Sequence, residues 1–128
     1  MEHLTTETFK EKVFDYQNNK EWSFNGTKPA IIDYFASWCQ PCKRVAPILD
    51  ELSTEYQDID FYKINTEEQP ELPAAFGIQG IPSILLIPVG KQPQLVVGAQ
   101  PKETYKLAIQ QVIFGEQPEI EINEEKNK

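Results

Sequence analysis

Apolar residues fall along the chain in short blocks whose period switches between that of a helix and that of a strand. The first block, Phe9, Val13 and Phe14, has helical spacing behind Thr5 and Thr6, either of which can cap it. Thr8 with Glu11 also has the spacing of a capping box. This helix is expected to end at Asn18-Asn19-Lys20, and residues 21–29, with Asn25-Gly26, read as a loop with Trp22 and Phe24 packed beneath it. Ala30–Phe35 is a nearly continuous apolar run, the pattern of a strand buried on both faces. Beyond Cys39 the period becomes helical at Val45, Ile48, Leu49, Leu52 and Tyr56, with Pro47 inside as an expected kink. Residues 59–65 read as a second core strand, and residues 67–76 as a short helical or irregular segment stopped by Gly77. Ser83–Ile87 and Gln94–Val97 read as two strands joined by a turn around Gly90. Pro101 suits the first turn of a last helix that puts Tyr105, Ala108, Ile109 and Val112 on one face and ends at Gly115. Strands alternating with helices, then a late hairpin, imply an α/β domain with a mixed sheet covered by helices on both faces.

Composition narrows the class. With 128 residues, 40% hydrophobic and 25% charged, the chain is sized for one soluble globular domain, expected to span residues 1–115. Residues 116–128 form an acidic polar tail expected to be flexible. The formal charge of -8 gives a surface that repels phosphate backbones, which argues against nucleic acid as a partner. No apolar run approaches the roughly 20 residues of a bilayer span. The first residues lack a basic start and an apolar core, so no signal peptide is expected. The expected location is cytoplasmic, with the periplasm as the alternative for a trimmed exported chain.

The chemistry is concentrated in two cysteines. Cys39 and Cys42, with a single distant His3, cannot supply the four ligands of a structural zinc site, so no metal is expected. A disulfide between them would close too small a loop to restrain the unfolded chain, so their value is chemical rather than structural. The C-x-x-C pair lies where a buried strand gives way to a helix. There the first sulfur meets unpaired backbone N–H groups and the positive end of the helix dipole, which stabilise a thiolate. The second sulfur lies about one turn along, within bonding reach. Pro41 fits the opening turn because no intrahelical donor is needed there. Asp33 is a carboxylate in the middle of an apolar strand, so burial is expected to raise its pKa toward neutrality. Its alternative is a strand-end residue facing solvent.

These features together resemble the thioredoxin family, from about Phe9 to about Val112. Ile31-Ile32-Asp33-Tyr34-Phe35-Ala36-Ser37-Trp38-Cys39 is similar to the family's strand leading into its active site. Pro47 falls at the kink of the active-site helix, and Lys63 where a buried lysine lies near the aspartate. Gly80-Ile81-Pro82-Ser83 resembles the loop whose proline is cis, and Val97-Gly98-Ala99 carries the glycine of the binding groove. Three departures stand out: Gln40-Pro41 replaces Gly-Pro between the cysteines, Phe35 replaces a common tryptophan, and residues 18–27 form a longer region.

The resemblance implies a thioredoxin fold, with a mixed sheet of four to five strands, and an enzyme that reduces protein disulfides. Cys39 would be the nucleophile, Cys42 the resolving thiol, and Asp33 the proton acceptor with Lys63 near it. Taken alone, Lys63 reads more commonly as a surface lysine lying along apolar surface. Trp38, Gln40, Pro41, Ile81, Pro82 and Gly98 would bind substrate, although Trp38 fits a core position as well as a lip of the site. Lys43 and Arg44 would add positive potential or only face solvent. No cofactor is implied. Partners would be disulfide-containing proteins and a thioredoxin reductase or other electron donor, with the chain acting as a monomer. Two rivals remain at this level: an oxidase or isomerase of an oxidising compartment, which Gln40 keeps open, and a groove that binds without turnover.

Overall fold

A computed structural model describes residues 1–116 of the chain. Five strands form one mixed sheet: β1 (Glu2–His3), β2 (Ala30–Phe35), β3 (Asp60–Asn65), β4 (Ser83–Ile87) and β5 (Gln94–Val97), in the order β1-β3-β2-β4-β5. Strands β1, β3 and β2 run parallel, while β4 and β5 are antiparallel to their neighbours. Central strands β2 and β4 are buried almost throughout, which is why they are continuous apolar runs rather than alternating ones.

Helices α1 (Thr6–Lys12), α2 (Gln40–Glu55), α3 (Glu71–Ala75) and α4 (Lys102–Ala108) cover both faces, and α4 continues as a π-helical turn over Ile109–Ile113. On one face Phe9 and Val13 of the first helical region and Leu72 of α3 pack with Ile32, Tyr34, Ile64, Leu85 and Ile87. On the other, Val45, Leu49 and Leu52 of α2 and Tyr105 and Ile109 pack with Ile31, Phe61, Ile84 and Leu86. Neighbouring residues of β2 thus feed opposite cores, as the period of two requires. The expected fold class is observed, and the sheet of four to five strands has five. Among the described residues no helix is long and apolar enough to cross a membrane.

Two local expectations are corrected. Helix α1 stops at Lys12 rather than at residues 18–20. Val13 and Phe14 stay buried, but the chain turns there: Asn25 donates its amide N–H to the Val13 carbonyl and its side-chain amide to the Lys10 carbonyl, so a loop residue satisfies the open helix end. Thr8 forms its capping box with Thr5 rather than with Glu11. The N-terminus also carries a strand that the pattern does not announce. In β1, His3 pairs with Lys63, and the Leu4 N–H bonds to the Lys63 carbonyl. The expectation of a flexible tail lies outside the described residues, apart from Glu116.

Candidate active site

The topology brings four connections to one end of the sheet. Strand β2 ends at Phe35, opposite Asn65 at the end of β3, and Tyr34 pairs with Ser83 at the start of β4. Ser83 pairs in turn with Val97 at the end of β5. The cysteine loop, the loop after Asn65, the Ile81-Pro82 loop and the Gly98 loop therefore meet at the carboxyl end of β2, where open sheets place their sites.

Cys39 is the N-cap of α2, with extended backbone, and Cys42 lies in the first turn. Their Cα atoms are 5.3 Å apart and the sulfurs are joined as a disulfide, so the structure is that of the oxidised state. The Cys42 backbone N–H points at Cys39 Sγ, 3.2 Å away. One of the helix's open donors is thus already aimed at the sulfur that would carry negative charge after reduction. Both cysteines are 3% exposed and pack with Ala36, Phe35 and Ile81. Pro41 sits in the first turn of α2, and Pro47 farther along removes one intrahelical donor. Gln40 is exposed and Pro41 half-buried at the rim. Trp38 is 66% exposed, which decides between lip and core.

Asp33 is 1% exposed in the centre of β2. Burial raises its pKa to about 6, against a partial lowering by the Lys63 charge, and the charge of Asp50 adds to the rise. Asp33 and Cys42 line the same cavity of about 280 Å³, together with Phe35, Ala36 and Lys63. Asp33 Oδ1 has no hydrogen-bond partner among the described residues. Lys63 lies directly across from Asp33 in the β2–β3 register, yet its ammonium is 4.9 Å from the centroid of the Phe35 ring and makes no ion pair with Asp33. Its influence on the carboxylate is through space, and the phenyl face of Phe35 offers its ammonium a cation–π contact.

The Ile81-Pro82 peptide is cis, as the resemblance implies, and Pro82 is buried. Gly98 has φ +88°, a conformation that disfavours a side chain, and its N–H donates to the Pro82 carbonyl at 2.8 Å. A Cβ at Gly98 would meet only the Gln100 side chain, so the backbone angle rather than crowding demands glycine there. Beside the sulfurs a groove of about 210 Å³ is lined by Trp38, Thr66, Pro73, Ile78, Gln79 and Ile81.

Sequence reasoning missed the group that anchors the cysteine loop. Glu67 accepts from the Ser37 N–H at 2.9 Å and from the Ser37 hydroxyl at 2.7 Å. These bonds hold its carboxyl below the usual range. Thr66 adds its N–H and hydroxyl to the Phe35 carbonyl. The partners are 30 and 31 residues apart, so no local motif announces them. His3, assigned nothing from the sequence, packs edge-on against Phe35 with ring centroids 5.9 Å apart. Among the described residues no group of three His, Cys, Asp or Glu is placed to hold a metal.

Comparison with known proteins agrees with this geometry. The family model for thioredoxin matches residues 1–111. The chain is 48% identical over 104 residues to a thioredoxin of Borreliella burgdorferi, covering 80% of this chain and 89% of that protein. It is 36% identical over 102 residues to thioredoxin 1 of a Nostoc species, covering 79% and 86% of the two chains. A chloroplastic M-type thioredoxin of Pisum sativum is 37% identical over 100 residues, 75% of this chain and 58% of the relative. Thioredoxins are thiol–disulfide oxidoreductases, and the helix-capped cysteine pair is their redox centre; protein-disulfide reduction is the activity these relatives and this pair support. On the match across its length and on its paired cysteines, this chain belongs to the thioredoxin family.

Proposed function

We propose that Cys39 attacks the disulfide of a protein substrate and that Cys42, deprotonated by Asp33, resolves the product. The observation that carries this is the Cys42 N–H aimed at Cys39 Sγ at the mouth of α2. In the reduced protein that donor and the helix dipole favour the Cys39 thiolate. The thiolate attacks one sulfur of the substrate, forms a mixed disulfide and expels the other sulfur as a thiolate. The Cys42 proton passes to the Asp33 carboxylate, directly or through water in their shared cavity. Cys42 then attacks Cys39 Sγ, the second substrate sulfur leaves, and the Cys39–Cys42 disulfide remains. Two electrons have moved to the substrate, and a separate reductase restores the dithiol.

Lys63 acts in this scheme by its charge on Asp33, not as a contact partner. Trp38, Ile81 and the groove beside them bind the apolar part of an extended substrate segment, and the Ile81 backbone pairs with it in the manner of an added strand. Gln40, Pro41 and Gly98 border the same path. The reaction suits the cytoplasm, because thiols are kept reduced there. The chain works as a monomer, and residues 1–115 are the folded unit.

Cys42→Ser tests the order of attack. It is expected to accumulate a mixed disulfide between Cys39 and insulin, while Cys39→Ser forms none. Equal inactivity of wild type and Cys39→Ser in insulin reduction would favour a groove that only binds. Equilibration with glutathione tests direction: the pair is expected to have a potential more negative than about −180 mV, and a more positive value would favour an oxidase.

A further inference from the structure

Tyr105 is one of the largest fully buried side chains, 2% exposed within the core that α2 and α4 share. An apolar residue would fill that space, yet the hydroxyl makes two specific bonds. It accepts the Gln100 N–H at 3.1 Å and donates to the Gly98 carbonyl at 3.1 Å. It thus closes the turn that follows β5 from inside the core. Burial holds its pKa above the ordinary 10.0, so at neutral pH it remains a phenol able to donate and accept at once. The turn it closes is not remote from the chemistry. The Gly98 N–H bonds to the Pro82 carbonyl, and Ile81, the residue before Pro82, packs on the two cysteines. A continuous path therefore runs from the Tyr105 hydroxyl to the Gly98 peptide, to Pro82, and to the sulfurs. The Gln100 side chain also donates to the Val97 carbonyl, so the turn presents its backbone in one arrangement.

From these contacts we infer that Tyr105 is a positioning residue of the substrate groove: its hydroxyl fixes the Gly98–Gln100 turn against the Ile81-Pro82 loop and so sets affinity for protein disulfides, without taking part in thiol chemistry. The inference rests on the proposed reductase reading, because a groove for an extended segment is what the turn would shape. A buried hydroxyl with both its donor and acceptor capacity spent on the backbone of one turn specifies that turn's geometry, whereas phenyl packing alone would hold only the helix.

Tyr105→Phe keeps the ring and removes both bonds. Initial rates of insulin reduction, with dithiothreitol as electron source, are compared for wild type and variant over a range of insulin concentration. The expected result is a KM raised about fivefold, the effect of about one net hydrogen bond, with kcat within twofold. Amide exchange in the variant is expected to speed up at Gln100, which loses its acceptor, and also at Gly98, whose own acceptor is untouched. An unchanged KM, with Gln100 exchanging freely, would show a purely structural hydroxyl and overturn the inference. A kcat that falls as far as KM rises would also overturn it, by putting the hydroxyl on the thiol chemistry. Failure of the wild-type protein to reduce insulin would overturn the reductase reading and this inference with it, an outcome distinct from equal kinetics of the two proteins.

Discussion

At the scale of single residues, Asp33 carries the sharpest consequence. Its pKa is raised to about 6 in the folded protein, above the ordinary 3.8, so the folded state holds its proton more tightly than the unfolded chain does. Stability from this group is fully present below pH ~4 and is lost as pH rises through about 6. Above that, the buried charge costs on the order of 3 kcal/mol, from a shift of roughly two units. Asp33→Asn is therefore expected to stabilise the protein by ~2 kcal/mol at pH 8, the buried amide offsetting part of the gain, and to destabilise it by ~1 kcal/mol at pH 3, where only that offset remains. Denaturant unfolding at the two pH values checks this; equal effects would place the carboxylate in solvent. In the proposed mechanism the same substitution removes the base for Cys42. In wild type the rate of mixed-disulfide resolution should rise through about pH 6, and in Asp33→Asn that inflection should vanish while Cys39 still attacks. The burial of Asp33 was legible because apolar neighbours on both sides commit the strand to the core and carry the mid-strand carboxylate in with it. The role of Lys63 was only half legible: the family resemblance places a cation near the aspartate, but the ammonium also lies over the Phe35 ring, 4.9 Å from its centroid, and forms no ion pair with Asp33.

At the scale of elements, strands bounded by Pro and Gly were readable to the residue. Ser83–Ile87 follows Pro82, and Gln94–Val97 lies between Pro93 and Gly98, so the breakers mark both ends. Helix α1 was overrun because Val13 and Phe14 continue its apolar spacing, although the Asn25 bonds end the helix just before them. Strand β1 has two residues and no period, and it exists only through pairing with β3, some sixty positions away. The cysteine motif was legible because its chemistry is local to one helix end. Its supports were not, since the Glu67–Ser37 and Thr66–Phe35 bonds join loops that only the folded sheet brings together. Two substitutions separate packing from positioning. Leu49, 1% exposed on α2, anchors the active-site helix to the sheet, so Leu49→Ala should cost about 2–5 kcal/mol in denaturant unfolding. Glu67→Gln keeps the shape but weakens two charge-assisted bonds to Ser37 by an exposed carboxylate; it should leave the denaturant midpoint nearly unchanged and insulin reduction within a few fold.

At the scale of the molecule, function follows from strand order. Parallel β2 and β3 end at the same edge where antiparallel β4 begins and β5 ends, so four loops distant in sequence enclose one disulfide. No single loop builds the site, which explains why the fold class and the cysteine pair could be read from local pattern, Trp38, Ile81 and Gly98 only through resemblance to a family, and the groove's other walls, Thr66, Pro73, Ile78 and Gln79, not at all. The formal charge of -8 is spread over a domain and an acidic tail of five Glu and two Lys, a net of -3. Ending the chain after Gly115 is expected to leave the thermal midpoint within about 2 °C and the insulin rate unchanged, because, among the described residues, both cores are filled by residues before it. A clear loss of cooperativity in that shortened chain would extend the folded unit beyond residue 115.

The claim beneath the whole account is that α2 holds Cys39 as an anion once the disulfide is opened. Alkylation of the reduced protein by iodoacetamide, followed across pH with Cys39 and Cys42 resolved by peptide mapping, measures this directly. Cys39 is predicted to react first, with its rate half-maximal at least about one pH unit below the 8.5 of a free cysteine. A Cys39 rate that follows an ordinary thiol, half-maximal at about 8.5 or above, would contradict the account.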